Sequence, residues 1–439
     1  MSTTTALATP EAVRAEGRRP RLEAVDKRDA ALMSVGTLAS GVLAYAFNVV
    51  AARTLGPDVY GGVGALWAGM FLLAVLLYRP LEQTLSRAIS DQVARGGDAR
   101  PVVRSAARLA VVVAVVSSLV LLAAWGPLTD RLFGGRAVLT AALVVGLAGY
   151  GVSYFVRGLM GGVRWFGGYG VLLFADGAIR VLVALPLVFI ASPAIAAAAI
   201  AVAAIGGGLA PALMDRRTTL HLIAGEGAGD AAPYPLRSAI RFAAPAAVIA
   251  GCEQVLVSGG PLLVLIAGGP HADHDAGVLF AATLLVRAPV FVFQGIQASL
   301  LPNLTTFEAN GERARLHKAT VTVALILAGF SALVAAGALA IGPFAMSVMF
   351  GDGFEAGRID LAAMAVGIGG FLAAGTFCQA LLARGRAGRA AIGWALAALA
   401  FVGLELLLPG SAFHRVSFAF GIASVLVGVV SMASVWRSR

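Results

Sequence analysis

The stretch VVAARTLGPDVYGG, residues 49–62, decides how the chain folds. An apolar helix runs into Arg53, breaks at Gly56-Pro57, and restarts through Tyr60 and a pair of glycines. Glycine tolerates the backbone angles that end a helix, and proline suits the first turn of the next. Two long apolar helices joined by a tight turn are therefore expected, with Arg53 at the turn. One reading makes Arg53 and Tyr60 interfacial anchors, the arginine reaching to water and the tyrosine lying at headgroup level. The other gives Arg53 a place on the path of a ligand.

The rest of the chain agrees with a lipid-facing protein. It has 439 residues, 59% hydrophobic and 13% charged, with a mean hydropathy of +0.87. Soluble domains carry about 25% charged residues. The net charge is +10, almost all of it arginine, since the lysines are Lys27 and Lys318 alone. Arginine surplus in such a chain marks cytoplasmic loops, and no basic face outside the membrane segments suggests nucleic acid. Cys252 and Cys378 both sit in apolar runs. They read as two buried thiols, not a disulfide framework.

Runs long enough to cross about 30 Å of hydrocarbon occur near 30–53, 58–94, 102–125, 136–157, 166–191, 194–214, 237–267, 275–306, 316–341, 357–383, 388–408 and 415–436. The predicted fold is all-α and polytopic, with about 12 transmembrane helices. The second and eighth spans exceed a bilayer, and Pro80 and Pro289 give each a place to bend. Basic residues fill the N-terminal tail and alternate loops, such as Arg95, Arg100 and Arg104, or Arg384, Arg386 and Arg389. The opposite loops are short, and several are acidic, as at Asp352, Glu355 and Asp360. By the positive-inside rule both termini are cytoplasmic and the protein lies in the cell (plasma) membrane.

The two halves echo each other. RTLGPDVYGGVGAL from Arg53, then SDQVARGGDARPVVRSAARL from Ser90, is matched by IAGGP from Ile266, DAGVLFAATLL from Asp275 and TTFEANGERARLHKATVTVAL from Thr305. Six spans per half place both halves in one orientation, as parallel repeats do. The expected organisation is a basic tail at 1–29, a six-helix lobe at 30–214, a glycine-rich linker at 215–236, and a second six-helix lobe at 237–439.

ARTLGPDVYG (52–61), followed by a long helix ending in LSRAISDQVARGG (85–97), resembles polysaccharide flippases of the multidrug/oligosaccharidyl-lipid/polysaccharide exporter superfamily. SLLPNLTTFEANGE (299–312) is similar to that superfamily's proline-containing end of the eighth helix. The chain departs from the peptidoglycan-precursor branch, whose first helix carries further arginines where Gly41 and Phe47 stand here. The resemblance implies two pseudo-symmetric lobes rocking about a central cavity. It implies a lipid-linked oligosaccharide as substrate, moved from the inner to the outer leaflet for polysaccharide assembly.

Ionisable groups at mid-membrane are functional candidates by default. Arg79 on the second span and Arg287 on the eighth are assigned to the pyrophosphate, because a guanidinium offers a planar fork to phosphate oxygens. Arg53, Gln294 and Gln297 join them as substrate-binding candidates. Glu253 or Asp176, the latter with Arg180 one turn on, would carry a coupling cation, H+ or Na+. Each has a structural alternative: Asp176 and Arg180 neutralising each other, Glu253 pairing with Arg287, and Arg79 reaching the interface. Arg157 and Glu405 read as interfacial.

No phosphate loop is present, because neither lysine follows glycine. Asp273-His274-Asp275 with His271 spells a weak metal or sugar-transferase motif and reads as a solvated loop; no metal or cofactor is expected. The competing functions are cation-coupled export of drugs or other small amphiphiles, a membrane-embedded glycosyltransferase or polymerase, and a non-transporting scaffold. Partner polymerases or glycosyltransferases and membrane lipids complete the expected company of the leading reading.

Overall fold

A computed structural model describes residues 27–94, 97–214, 236–269, 271–288, 313–384 and 386–436. Its long helices are α1 (Lys27–Ala94), α2 (Arg100–Ala123), α3 (Ala137–Val163), α4 (Phe166–Ala184), α5 (Pro193–Met214), α6 (Leu236–Ala267), α7 (Ala272–Arg287), α8 (Arg313–Phe350), α9 (Arg358–Ala383), α10 (Ala387–Leu407) and α11 (Ala412–Trp436). Ten candidate membrane spans are found among the described residues. One of them, α1, folds back on itself at Gly56 and supplies two crossings. With α7 as the start of the predicted eighth span, the count is twelve. The remainder of that span, the tail before Lys27 and nearly all of the predicted linker lie outside the described residues.

Gly56 causes the fold-back. Its backbone sits at φ 69°, ψ 165° between two arms that are otherwise helical, a region essentially reserved for glycine. Pro57 then opens the second arm, where its missing N–H goes unnoticed. The boundary between the fifth and sixth spans is sharp: Leu185–Val188 tightens into a 3₁₀ turn and Pro193 starts α5. The fourth span runs farther than the hydropathy suggests, to Val163.

The first lobe comprises α1–α5 and the second α6–α11. Helix α1 packs on α3 and α4 of its own lobe and on α6 and α7 of the other, its first arm meeting α4 where Gly36 faces Gly170. Helix α2, the third crossing, and α8, the ninth, are the least buried spans of their respective lobes. That shared position extends the internal repeat from sequence to packing. The turn before α2 is held by Asp98, which accepts hydrogen bonds from the Arg100 backbone N–H (2.9 Å) and Nε (2.8 Å). These bonds hold the Asp98 carboxyl below its ordinary range.

The start of α1 and the end of α11 lie at one end of the molecule. The α1 bend meets the last residues of α8, and the turn after α9 meets the last residues of α11. The two ends are called here the bend end and the termini end. Gly56→Ala has no steric obstacle, since nothing lies within 4 Å of the added methyl. It is still expected to destabilise the protein by about 1–3 kcal/mol through backbone strain. Thermal unfolding in detergent checks this, with Gly337→Ala, in open helical surroundings, as the comparison that should lose no stability.

Candidate functional site

The lobes meet through an exchange of close backbone contacts. A methyl on Gly61 would collide with the Asp273 carbonyl, and one on Gly277 would collide with the Pro57 carbonyl. Both pairs are related by the same shift of 216 positions, 57 to 273 and 61 to 277. The same shift carries Gly64 to Phe280, and a methyl on Gly64 would meet the Phe280 ring at 2.8 Å. Residues related by an internal twofold thus face one another, so the pseudo-symmetry axis passes between Gly64 and Phe280.

Side chains from both lobes close around this contact. Arg53 donates to the backbone carbonyls of Val348 and, from Nε at 2.9 Å, of Met349. Those carbonyls belong to the last turn of α8, where acceptors lack helical partners and positive charge is favoured. Tyr45 adds an Oη to Met349 Sδ contact at 3.4 Å. Tyr60 is not an interfacial anchor: it is fully buried, with Phe280 and Phe354 at 5.7 and 6.0 Å and a hydrogen bond to Asn48 at 3.1 Å. Residues 272–275 are the first turn of α7 and not a loop, though they stay partly exposed. Asp273 pairs with Arg136 at 3.8 Å and His274 with Asp58 at 3.4 Å, both across the lobes.

Farther along the second arm lies Arg79, whose nearest carboxylate is Glu253 of the other lobe at 3.9 Å. Both side chains keep access to solvent-sized space, 42% and 25% exposed. The sequence offered Arg287 as the partner of Glu253; the structure pairs Glu253 with Arg79. Arg287 lines a small cavity inside the second lobe with Thr283, Pro261 and Met364, and has no acidic partner among the described residues. A chamber shared by Arg79 and Arg287 is not formed among the described residues. Gln294 and Gln297 lie outside them.

The other mid-membrane charges are satisfied within one lobe. Arg180 pairs with Asp176 at 2.5 Å, donates to Tyr150 at 3.2 Å, and stacks over Trp67 at 4.7 Å. Asp176 Oδ1 and Arg180 Nε are nevertheless buried without a hydrogen bond. Arg157 is held by partners inside the lobe: it pairs with Glu82 at 3.4 Å, shares Tyr169 with it, and lies over Tyr154 at 4.3 Å. Glu405 is likewise buried, 1% exposed, and paired with Arg415 at 3.3 Å. Glu82 and Tyr169 were not singled out in the sequence, and their placement near the ends of apolar runs gave no signal. No group of three or more His, Cys, Asp or Glu suited to a metal occurs among the described residues.

No family model matches the chain. It is 27% identical over 421 residues to an uncharacterized protein of Mycobacterium bovis, covering 92% of this chain and 91% of that one. An uncharacterized protein of Mycobacterium tuberculosis is 28% identical over 412 residues, covering 90% and 89%. Among solved structures, an inward-facing conformation of a multidrug resistance MATE family transporter of the MOP superfamily gives a TM-score of 0.67 at 15% identity, over 92% of this chain and 96% of that one. The outward-facing conformation of a MATE transporter described in the same terms gives 0.63 at 15%, over 94% and 96%. The chain is thus an all-helical membrane protein with the two-lobed fold of MATE transporters.

Two outcomes follow. Gly61→Leu or Gly277→Leu should part the lobes at the bend end. Spin labels at Asp58→Cys and His274→Cys, with both native cysteines replaced by serine, should then report a longer distance than in the parent. An unchanged distribution would contradict the closure described above. Separately, Asp176→Ala and Arg180→Ala should each cost about 3–5 kcal/mol by stranding a buried charge. Asp176→Leu combined with Arg180→Met should recover most of that loss in thermal unfolding.

Proposed function

We propose that the chain is a plasma-membrane transporter that carries a polyprenyl-pyrophosphate-linked oligosaccharide from the inner to the outer leaflet by alternating access. The observation that carries this reading is the Arg79–Glu253 pair. Charges with no transport duty are expected to be tightly paired inside one lobe, as Arg180 and Arg157 are. Arg79 and Glu253 instead face each other across the junction at 3.9 Å, partly exposed and loosely held. A pyrophosphate offers Arg79 a stronger, forked set of acceptors than a distant carboxylate does. Its arrival would release Glu253, which is then the group to hold the coupling cation. Asp176, already occupied by Arg180, is the poorer candidate.

Alternating access requires the bend end to open. The contacts there suit that duty: exposed pairs and carbonyl caps of modest strength surround one compact glycine contact. Arg53 belongs to this closure, so its role in the path would be to release α8 rather than to grip the headgroup. Arg287 would reach substrate only after the second lobe rearranges around its cavity. With both termini cytoplasmic, a negative charge moving outward gains about 2.3 kcal/mol per 100 mV from an inside-negative potential. Enzymes that assemble or polymerise the sugar would supply and consume the cargo.

The fold favours a second reading, because its solved neighbours are described as multidrug resistance transporters. In that reading Glu253 recognises a cationic amphiphile and Arg79 is its resting counter-ion. One reconstitution separates them. Vesicles holding the protein should flip a fluorescent lipid-linked pyrophosphate oligosaccharide and leave a cationic dye gradient untouched. Arg79→Ala should lower that flux by about 10- to 100-fold, the worth of a charge-assisted contact. Arg287→Ala should abolish it while the protein still inserts. Dye transport without lipid transport would replace the first reading by the second.

A further inference from the structure

The termini end of the second lobe carries an apolar groove capped by cations. The groove runs between α8, α9 and α11, lined by Ala328, Ser331, Gly370, Phe377, Gly428 and Met432, and holds about 440 Å³. Its floor exists because α9 and α11 approach closely: a methyl on Gly428 would lie 2.8 Å from the Gly370 carbonyl oxygen. Leu325, Leu333 and Val429 on its flanks are exposed and apolar, so it opens toward lipid. Along α9 the lining runs from Val366 to Phe377, about 16 Å at the helical rise and close to the ~15 Å depth of one leaflet's hydrocarbon.

Cations gather at its mouth. Arg384, about 10 Å beyond Phe377 along the chain direction, donates Nη1 to the Val435 carbonyl at 2.7 Å. Val435 follows Met432 of the groove by three residues. This bond seats the α9–α10 turn on the end of α11. Arg386 follows in that turn, and its Nη1 is buried without a hydrogen-bond partner. A desolvated guanidinium N–H without an acceptor is costly. Arg389 and Lys318 are exposed nearby in sequence and helical position. No aspartate or glutamate occurs within 313–323, 377–393 or 428–436, so the charges that these three segments bring to the end of the groove are positive.

We infer that this groove is a binding site for an anionic phospholipid of the leaflet at the termini end. Its phosphate lies on Arg386 and Arg389, and one acyl chain lies between α8 and α11. A phosphate there would draw the Arg386 guanidinium outward from the position in which its Nη1 is buried and unpartnered. The site is separate from the junction of the lobes and does not depend on which cargo crosses there.

Native mass spectrometry of the full chain, released from detergent with added phosphatidylglycerol or phosphatidylethanolamine, tests the assignment. The parent should retain phosphatidylglycerol in preference to phosphatidylethanolamine. Arg386→Ala with Arg389→Ala should lower phosphatidylglycerol retention by about tenfold. Ala328→Phe, which fills the groove without touching a cation, should lower retention of both lipids. Equal retention of the two lipids by the parent overturns the proposal, as does undiminished phosphatidylglycerol binding by the double variant. Displacement of phosphatidylglycerol by a polyprenyl pyrophosphate also overturns it, by making the groove a cargo site.

Discussion

Backbone meets backbone where Gly61 faces Asp273 and Gly277 faces Pro57. The rest of the junction depends on that contact. Lipid tails are as apolar as leucine, so two membrane lobes gain little by burying more leucine against each other. Close approach of backbones, with the dispersion and polar contacts it permits, is what remains. Glycine at both positions lets the second arm of α1 and the start of α7 approach within touching distance. Only then can Asp273 come within reach of Arg136, and Arg53 reach the carbonyls that end α8. The ionic contacts decorate an interface that shape has already set.

Charge is distributed around this junction by depth and by lobe. A guanidinium in hydrocarbon demands acceptors, and those of Arg157 and Arg180 find carboxylates, phenols and aromatic faces on neighbouring helices of the same lobe. Such sites bind helices together and change little when the lobes move as bodies. Arg79 and Glu253 differ because their separation is a function of lobe position. A ligand shifts a two-state equilibrium only by the difference in its affinity for the two states. A cross-lobe pair that a ligand can break is one physical source of that difference.

Much of the fold was legible because it follows from hydropathy and from two kinds of punctuation, glycine-proline turns and arginine-rich loops. The Gly56 break and the opening of each repeat are in the residues 53–66 and 266–285. The partners of the charges were less legible. Arg157 and Glu405 sit near the ends of apolar runs, where an interfacial position and a buried ion pair have the same sequence signature. Their burial depends on Glu82 and Arg415, distant in the chain or in helical phase. Tyr60 misled for a similar reason: tyrosine suits both a headgroup belt and a buried aromatic contact with one hydrogen bond. Arg79 was placed on the correct helix, but its partner came from a three-dimensional packing that periodicity does not encode.

The repeat also explains why the candidate site is lopsided. In sequence, the shift of 216 that relates the glycine contacts matches Phe71 to Arg287 and Arg79 to Gly295. Phe71 packs against Trp67 and Tyr150, at 5.0 and 5.4 Å, in an aromatic layer of the first lobe. The duplicated backbone is therefore symmetric where the lobes must meet and asymmetric where charge resides. A symmetric interface lets two similar bodies close over one another with a single type of contact. In this chain the asymmetry falls on the two helices that form the junction, where a change in charge pairing and a change in lobe position are coupled by contact.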